Sequence, residues 1–424
     1  YMLHQDSYHS NKDGIYQLIN IVDNSDEKEL WSDTPLRLAD ELKQKISFVD
    51  KVARVEYSSG NFRYDDLVFN ETIWFSDPEI LEMFDFPMAS GTRKTLFNKE
   101  KIFISQSLAS KYFGNSDAMG RQISVKYDNG SIQSYFIGGV FDKWPSRTSF
   151  APDVLIALDN FYDLSPERRY DWSYLTDGIF FSLESGHEAS ELYDYFPNWV
   201  ALQNDSDPEF KTVGFEPISF AELPARNYEI SSSLVGGGHP AGIIGLGVIS
   251  IFLVLLACFN YVNIAVSSSV KRLKEIALRK VMGGSKGSIV RQFLIENTLL
   301  CFLALVLGFA LAYFFLLPGF NALIPVEMPF EFTSFLQITL FIFGLLVFVG
   351  LISGAYPAFY ISKFNPVNIF RGSQKFGSKS IFSKILLSLQ FIIAFSTIVG
   401  SFIFTDASIQ LVNRDWGYEP RDIV

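Results

Sequence analysis

Residues 267–297 (SSSVKRLKEIALRKVMGGSKGSIVRQFLIEN) carry Lys271, Arg272, Lys274, Arg279, Lys280, Lys286 and Arg291 against Glu275 and Glu296, between two long apolar runs at about 241–266 and 293–317. Lys and Arg resist translocation, so a basic connection between membrane-length runs lies on the cytoplasmic side. That assignment orients the rest of the chain. Two more apolar runs follow at about 334–359 and 385–405. At about 1.5 Å per residue each run makes roughly 30–40 Å of helix, enough for a hydrocarbon core about 30 Å thick. The expectation is an all-α transmembrane bundle with four spans.

The other connections obey the same rule. Pro318 to Thr333 holds Glu327 and Glu331 with no basic residue, which places it outside. Ile361 to Lys384 holds Lys363, Arg371, Lys375, Lys379 and Lys384 with no acid, which places it inside. The tail from Asp406 then returns outside. Charge divides the chain as well. Residues 1–240 hold 21 Lys+Arg and 38 Asp+Glu, a balance of -17, while the remainder holds 14 and 8, a balance of +6. An acidic portion of this kind is no partner for nucleic acid. The aromatic content of 16% and mean hydropathy of +0.18 suit a membrane protein. Cys258 and Cys301 both fall in apolar runs, so the polar portion has no disulfide. The sequence starts at Tyr1 without an initiator Met or a leader. An acidic domain outside needs an exporting segment, so a further transmembrane helix before Tyr1 is expected.

Within the basic stretch, Leu273, Ile276, Ala277 and Val281 recur at helical spacing, which predicts an amphipathic helix. Gly283 and Gly284 stop it, and a second helix begins near Ser285 and runs into the next span. The plain reading of this pattern is an ordinary positive-inside loop, and the sharper one is a short helix offered to a soluble partner.

Residues 1–240 read as an α/β (α+β) extracytoplasmic domain, in one or two subdomains. Thr34 and Pro35 are a plausible cap and first position for a helix that aligns Leu36, Ala39, Leu42 and Ile46. Short helices are expected at Asp77–Phe84 and Ser105–Phe113, the latter closed by Gly114. Arg121–Tyr127 and Ile132–Val140 form a hairpin through Asp128-Asn129-Gly130. Further strands are expected near Val49–Tyr57, Phe62–Phe75, Ile179–Leu183 and Val213–Phe220, with a helix near Glu188–Trp199. Phe141–Phe150 is a candidate crossover between subdomains, and Gly236-Gly237-Gly238-His239-Pro240 marks a linker.

Several motifs carry no chemistry. Gly283-Gly284-Ser285-Lys286-Gly287 matches G-x-S-x-G, but a helix precedes it and His4, His9, His187 and His239 lie across the membrane, so it reads as a hinge. No G-x-x-x-x-G-K-[ST] occurs, so nucleotide would have to be bound by another subunit. The His and Cys residues lack metal-ligand spacing. Ionisable side chains are sparse in the spans, unlike proton- or ion-coupled carriers, and Glu296 lies close enough to the end to snorkel. Asn260 and Asn263 suit hydrogen bonds to another helix. Gly350 and Gly354 form a G-x-x-x-G that fits close packing and coincidence equally well, and Pro357 is expected to kink or end its helix.

Glu275–Leu299 (EIALRKVMGGSKGSIVRQFLIENTL) resembles the signature of FtsX-like permease domains in MacB-type ABC transporters. Tyr356–Gly372 (YPAFYISKFNPVNIFRG) is similar to the segment after the last helix of that domain. Ile104–Val125 and Ile137–Phe150 are similar to the MacB-type periplasmic core domain. The resemblance implies a periplasmic core domain at 1–235 and an FtsX-like permease domain at 236–372. It leaves 373–424 as a linker, a fourth span and the start of a second extracytoplasmic region, as in the large tandem form. It implies a non-catalytic permease with no cofactor of its own, in a bacterial inner membrane, driven by a separate ABC ATPase subunit that holds ATP and Mg. That ATPase would push on Lys274, Glu275, Ala277, Leu278, Arg279, Lys280, Gly283 and Gly284, and on Lys363, Asn365, Pro366 and Arg371 of the second inner loop. Other implied partners are membrane lipid, a second copy or half of the permease, and a periplasmic adaptor or peptide substrate. The outcome would be export or mechanotransmission rather than passage through a central channel. Which cargo is handled is beyond family analogy. The alternative is a sensory receptor with a ligand-binding ectodomain, which a downstream signalling domain would favour.

Overall fold

A computed structural model describes residues 6–24, 27–145, 148–237, 239–323, 335–362 and 381–412. The chain divides into two compact units at Pro240/Ala241.

The first unit begins with β1 (Ile15–Asn24), β2 (Glu27–Trp31), β3 (Thr34–Pro35), α1 (Leu38–Lys45), β4 (Val49–Tyr64), β5 (Leu67–Ser76), α2 (Ile80–Met83) and β6 (Met88–Gly91). Then come β7 (Lys101–Ser105), α3 (Gln106–Phe113), β8 (Gln122–Tyr127), β9 (Ile132–Phe141), β10 (Val154–Ala157) and α4 (Leu158–Leu164). It closes with β11 (Leu175–Thr176), β12 (Gly178–Leu183), α5 (Phe196–Ser206), β13 (Thr212–Ser219), α6 (Leu223–Arg226) and β14 (Ile230–Ser231). Twelve strands form one sheet in the order β14-β2-β1-β12-β4-β5-β10-β7-β9-β6, with β13 beside β1 and β8 beside β4 and β9. The stretch from Phe141 to Phe150 therefore joins β9 to β10 of one sheet, and Phe150 is fully buried in its core.

Local chemistry explains most of these elements. The Ser105 hydroxyl accepts from Leu108 N to start α3, and Gly114 at φ 61 closes it, as the sequence predicts. The β8–β9 hairpin pairs Val125 with Gln133 across a turn where Gly130 sits at φ 82. Leu36, Ala39, Leu42 and Ile46 are all buried, but Thr34 and Pro35 are not the start of α1. They form β3 against β11, and Arg37 takes the cap position without a side-chain hydrogen bond. The helix expected at Glu188–Trp199 is a short 3-10 turn, Ala189–Asp194, followed by α5, which extends to Ser206.

Two buried groups tie the layers together. Arg54 on β4 donates from Nε and Nη2 to the Asp77 carboxylate at 2.8 Å, and from Nη1 to the Tyr162 hydroxyl at 2.9 Å and to Asp40 at 3.3 Å. It thus joins α1, β4, α4 and the turn after β5 through a bidentate pair. His9 packs edge-on to Phe84 at 5.2 Å and Phe220 at 5.6 Å, and its Nδ1 accepts from Asp85 N at 3.0 Å. Burial pushes the imidazole down to about 4.

The second unit holds α7 (Pro240–Lys271), α8 (Leu273–Val281), α9 (Lys286–Leu311), α10 (Leu317–Leu323), α11 (Phe335–Ser362) and α12 (Ile381–Val412). Three stretches are long and apolar enough to cross a membrane: Pro240–Ala265, Lys286–Phe320 and Lys384–Gln410. The 28-residue α11, with an apolar segment at Thr339–Leu351, is roughly consistent with the fourth. Its helix continues past Pro357 to Ser362, so that proline does not end it. Ala312–Leu316 form a π-helical turn between α9 and α10, just ahead of Pro318, whose missing N–H interrupts regular helix bonding.

Candidate functional site

The basic stretch folds as a helical hairpin. Arg272, at φ -90 and ψ 2, separates α7 from α8. Gly283 adopts φ 96 beyond the end of α8, a conformation that disfavours any side chain. Gly284 donates its N–H to the Arg279 carbonyl at 2.8 Å, and a Cβ there would lie 2.8 Å from that oxygen. The two glycines therefore serve different needs, one conformation and the other close approach. Ser285 caps α9 by accepting from Ser288 N at 3.2 Å, which occupies the hydroxyl of the G-x-S-x-G match in a helix start.

A chain of polar contacts braces α8 on α9. Arg279 Nη2 meets Glu275 Oε1 at 2.7 Å within α8, while Arg279 Nη1 donates to Gln292 Oε1 of α9 at 2.6 Å. Gln292 Nε2 donates to Glu296 Oε1 at 3.0 Å, and Arg272 Nη1 reaches Glu296 Oε2 at 3.0 Å. These groups are exposed, so the ion pairs fix geometry more than they add stability.

Burial divides the residues that the sequence singles out. Ile276 and Ala277 are buried, so Ala277 supports the hairpin from beneath. Val281, expected on the same face, is 65% exposed, and with Leu278 at 57% and Met282 at 82% it makes an apolar outer surface. Lys274 and Glu275 are exposed, and Lys280 is half-buried. Burial, with Lys286 nearby, holds the Lys280 ammonium below its usual range. Lys363, Asn365, Pro366 and Arg371 lie outside the described residues. Sequence reasoning missed Met282 and Gln292. Met282 is the last side chain before the glycines, and Gln292 lies four residues before Glu296, the spacing of neighbours on one helix face.

Two helix contacts set this hairpin in the bundle. Asn297 of α9 is buried and donates from Nδ2 to the Gly350 carbonyl of α11 at 2.7 Å. A Cβ at Gly350 would lie 3.1 Å from Thr298 Oγ1, and one at Gly354 would lie 2.7 Å from Asn297 Nδ2 and 3.2 Å from Leu294 Cδ2. The G-x-x-x-G is thus a close-packing surface for α9. Asn263 of α7 donates to Gln390 of α12 at 3.4 Å, and Gln390 Nε2 lies 3.5 Å from the Leu256 carbonyl.

Comparison with known proteins finds matches to both parts of the chain. Residues 3–196 match the MacB-like periplasmic core domain and residues 247–366 the FtsX-like permease C-terminal domain. The macrolide export ATP-binding/permease protein MacB of Syntrophobacter fumaroxidans is 28% identical over 356 residues, covering 70% of this chain and 47% of that protein. The protein of the same name from a Shewanella species is 28% identical over 333 residues, covering 77% of this chain and 47% of that protein. The chain thus spans about half the length of these curated relatives. The crystal structure of the periplasmic region of MacB from Actinobacillus actinomycetemcomitans superposes with a TM-score of 0.35 at 10% identity, covering 51% of this chain and 94% of that one. With an extracytoplasmic α/β domain followed by apolar helices, and both family domains in that order, the chain belongs to the MacB/FtsX-type permeases and is an ABC transporter permease component.

Proposed function

We propose that this chain receives force from a separate ABC ATPase and converts it into movement of its extracytoplasmic domain, for export or mechanotransmission at a bacterial inner membrane. The observation that carries this reading is the hairpin: α8 presents Leu278, Val281 and Met282 outward while Arg279, Gln292, Glu296 and Arg272 cross-brace it to α9. A braced helix with an apolar outer face suits a docking surface that must transmit a push without deforming. Because α7 starts five residues after Val235, a buried residue of the first unit's core, displacement of the hairpin has a covalent route to that domain along one helix. Nucleotide and Mg would stay in the partner, and this chain would carry out no chemistry.

This reading separates two groups of residues. Leu278→Asp with Met282→Asp should abolish co-purification of a co-expressed ABC ATPase subunit and lower its ATPase rate to that of the isolated subunit. Exchanging the charges, Glu275→Arg with Arg279→Glu, keeps the intrahelical pair and should retain most of the binding. Equal recovery of the ATPase with the Leu278/Met282 variant would sink the proposal.

A further inference from the structure

At one end of the extracytoplasmic sheet, β5, β4, β8 and β9 lie side by side, with Val68 opposite Arg63, Arg63 opposite Ser124, and Ser124 opposite Ser134. Strand alternation turns these residues to one face and Phe62, Val125 and Tyr135, all buried, to the other. Side-chain contacts agree with that assignment: Asn70 donates to Asn61 at 3.3 Å, and the Ser124 and Ser134 hydroxyls are 3.1 Å apart. α3 covers the inner face, where Tyr112 packs on Phe69 at 5.7 Å. Nothing among the described residues of this unit covers the outer face.

Two properties distinguish this face. Leu67, Val68, Phe69, Ile132 and Phe136 lie at this end, and the one other exposed Leu, Ile, Val or Phe among the described residues of the first unit is Val213. Leu67 and Phe69 turn toward α3, leaving Val68 (48% exposed), Ile132 (67%) and Phe136 (40%) on the open side. The second property is charge. The outward positions from Asn61 to Arg63, Val68 to Asn70, Gln122 to Lys126 and Ile132 to Phe136 include Arg63 and Lys126 and no carboxylate, within a portion whose balance is -17. Lys101 of β7 stands opposite Phe136 at the margin. Neither Arg63 nor Lys126 forms an ion pair among the described residues. Carboxylates appear at the rim, with Asp65 and Asp66 in the β4–β5 turn, Asp128 in the β8–β9 turn and Glu100 ahead of β7.

We propose that this open face docks an acidic protein partner outside the cytoplasm, one that presents carboxylates between aliphatic side chains to Arg63 and Lys126 with Val68, Ile132 and Phe136. Charge complementarity selects the occupant. A second copy meeting this face with the same face would set cation against cation, which disfavours self-pairing. A flat sheet face with amides and hydroxyls between its apolar side chains matches the mixed core and polar rim of protein interfaces.

The test uses the full chain in nanodiscs of phosphatidylcholine, with an alternating Glu–Leu peptide as acidic probe and an alternating Lys–Leu peptide as control. The acidic peptide should bind, and weaken at least tenfold in Arg63→Glu/Lys126→Glu and severalfold in Ile132→Ser. Its affinity should also fall as salt rises, while the basic peptide stays unbound. The milder Arg63→Ser/Lys126→Ser variant, checked for native circular dichroism, guards against misfolding and should show an intermediate loss. Equal binding of both peptides, or unchanged binding in the charge-reversed variant, overturns the proposal. So does a photocrosslinker at Ile132 that labels phosphatidylglycerol in vesicles of that lipid, or a second copy of the chain, in preference to the acidic peptide.

Discussion

Phe84, Phe150 and Phe180 are packed on one another with no exposed surface, while Phe302, Phe341 and Phe402 of the helical unit are 47%, 70% and 73% exposed. The same residue type serves opposite ends in the two units. In the extracytoplasmic unit the rings contact each other, with Phe84 lying 4.9 Å from Phe150 and 5.5 Å from Phe180, so apolar burial is the main source of stability. In the helical unit the rings face outward, where lipid is as apolar as they are, and burial adds little. Specific association there depends on a few places where backbones approach, chiefly Gly350 and Gly354 against α9. The difference separates a domain that folds by excluding water from helices that need particular atoms in contact.

The largest effect that could break this comparison lies at Phe84. Phe84→Ala removes a fully buried ring and should cost about 3–5 kcal/mol, read as a lower urea midpoint for tryptophan fluorescence of the full chain in detergent. A loss below about 1 kcal/mol would mean that the core collapses onto the gap, and that its packing is less specific than the ring geometry implies.

Next in size is pH, to which buried groups in the first unit respond in opposite directions. Burial lifts Glu56 from 4.5 to about 7, with one oxygen accepting from the Tyr174 hydroxyl and the other buried without a partner, while Asp177 raises it further. Its contribution to stability is complete below about 4.5 and is lost as pH rises through about 7. His9 falls from 6.5 to about 4, so its contribution is present above 6.5 and is lost as pH drops through about 4. Each group is worth up to about 3 kcal/mol at the far end of its window. Glu56→Gln should flatten the neutral side of the stability profile and leave the acid side unchanged, as checked by urea midpoints from pH 4 to 8. A profile that Glu56→Gln leaves unaltered would show that the carboxyl is solvated.

The third test sharpens the helical side. Gly354→Leu places a side chain where Asn297 and Leu294 now sit and should destabilise the α9–α11 pair by about 1–3 kcal/mol. Crosslinking of cysteines introduced at exposed positions on the two helices should fall correspondingly. Unchanged crosslinking would show that the glycines are incidental to the packing.

Much of this arrangement is legible in the residues, but unevenly. The α3 caps and the Asp128-Asn129-Gly130 turn follow from local chemistry and appear where expected. The strands expected near Val49–Tyr57 and Phe62–Phe75 divide elsewhere: Gly60 lies inside β4, where a Cβ would be 2.8 Å from Val125 Cγ1. The turn falls instead at Asp65, at φ 49. Glycine there serves a close crossing of neighbouring side chains, which local pattern does not reveal. β1, β7 and β10 escaped notice because short apolar runs such as VLIA and KIFIS lack the alternation of a half-buried strand. At the hairpin, the α8 and α9 boundaries follow from Gly283, Gly284 and Ser285. That Arg279 turns toward Gln292 rather than outward depends on how the hairpin folds back, which spacing along one helix does not encode.

The Asn297 bond to the Gly350 carbonyl also divides α9 into unequal lengths. Eleven residues, about 16 Å, separate Lys286 from Asn297, and fourteen more, about 21 Å, reach Leu311. A stiff rod pinned at that point swings its far end opposite to any sideways shove at the near end and enlarges it by about 1.3. Under the proposed force transfer, the place of that amide along the rod would set how far the outer end of α9 moves.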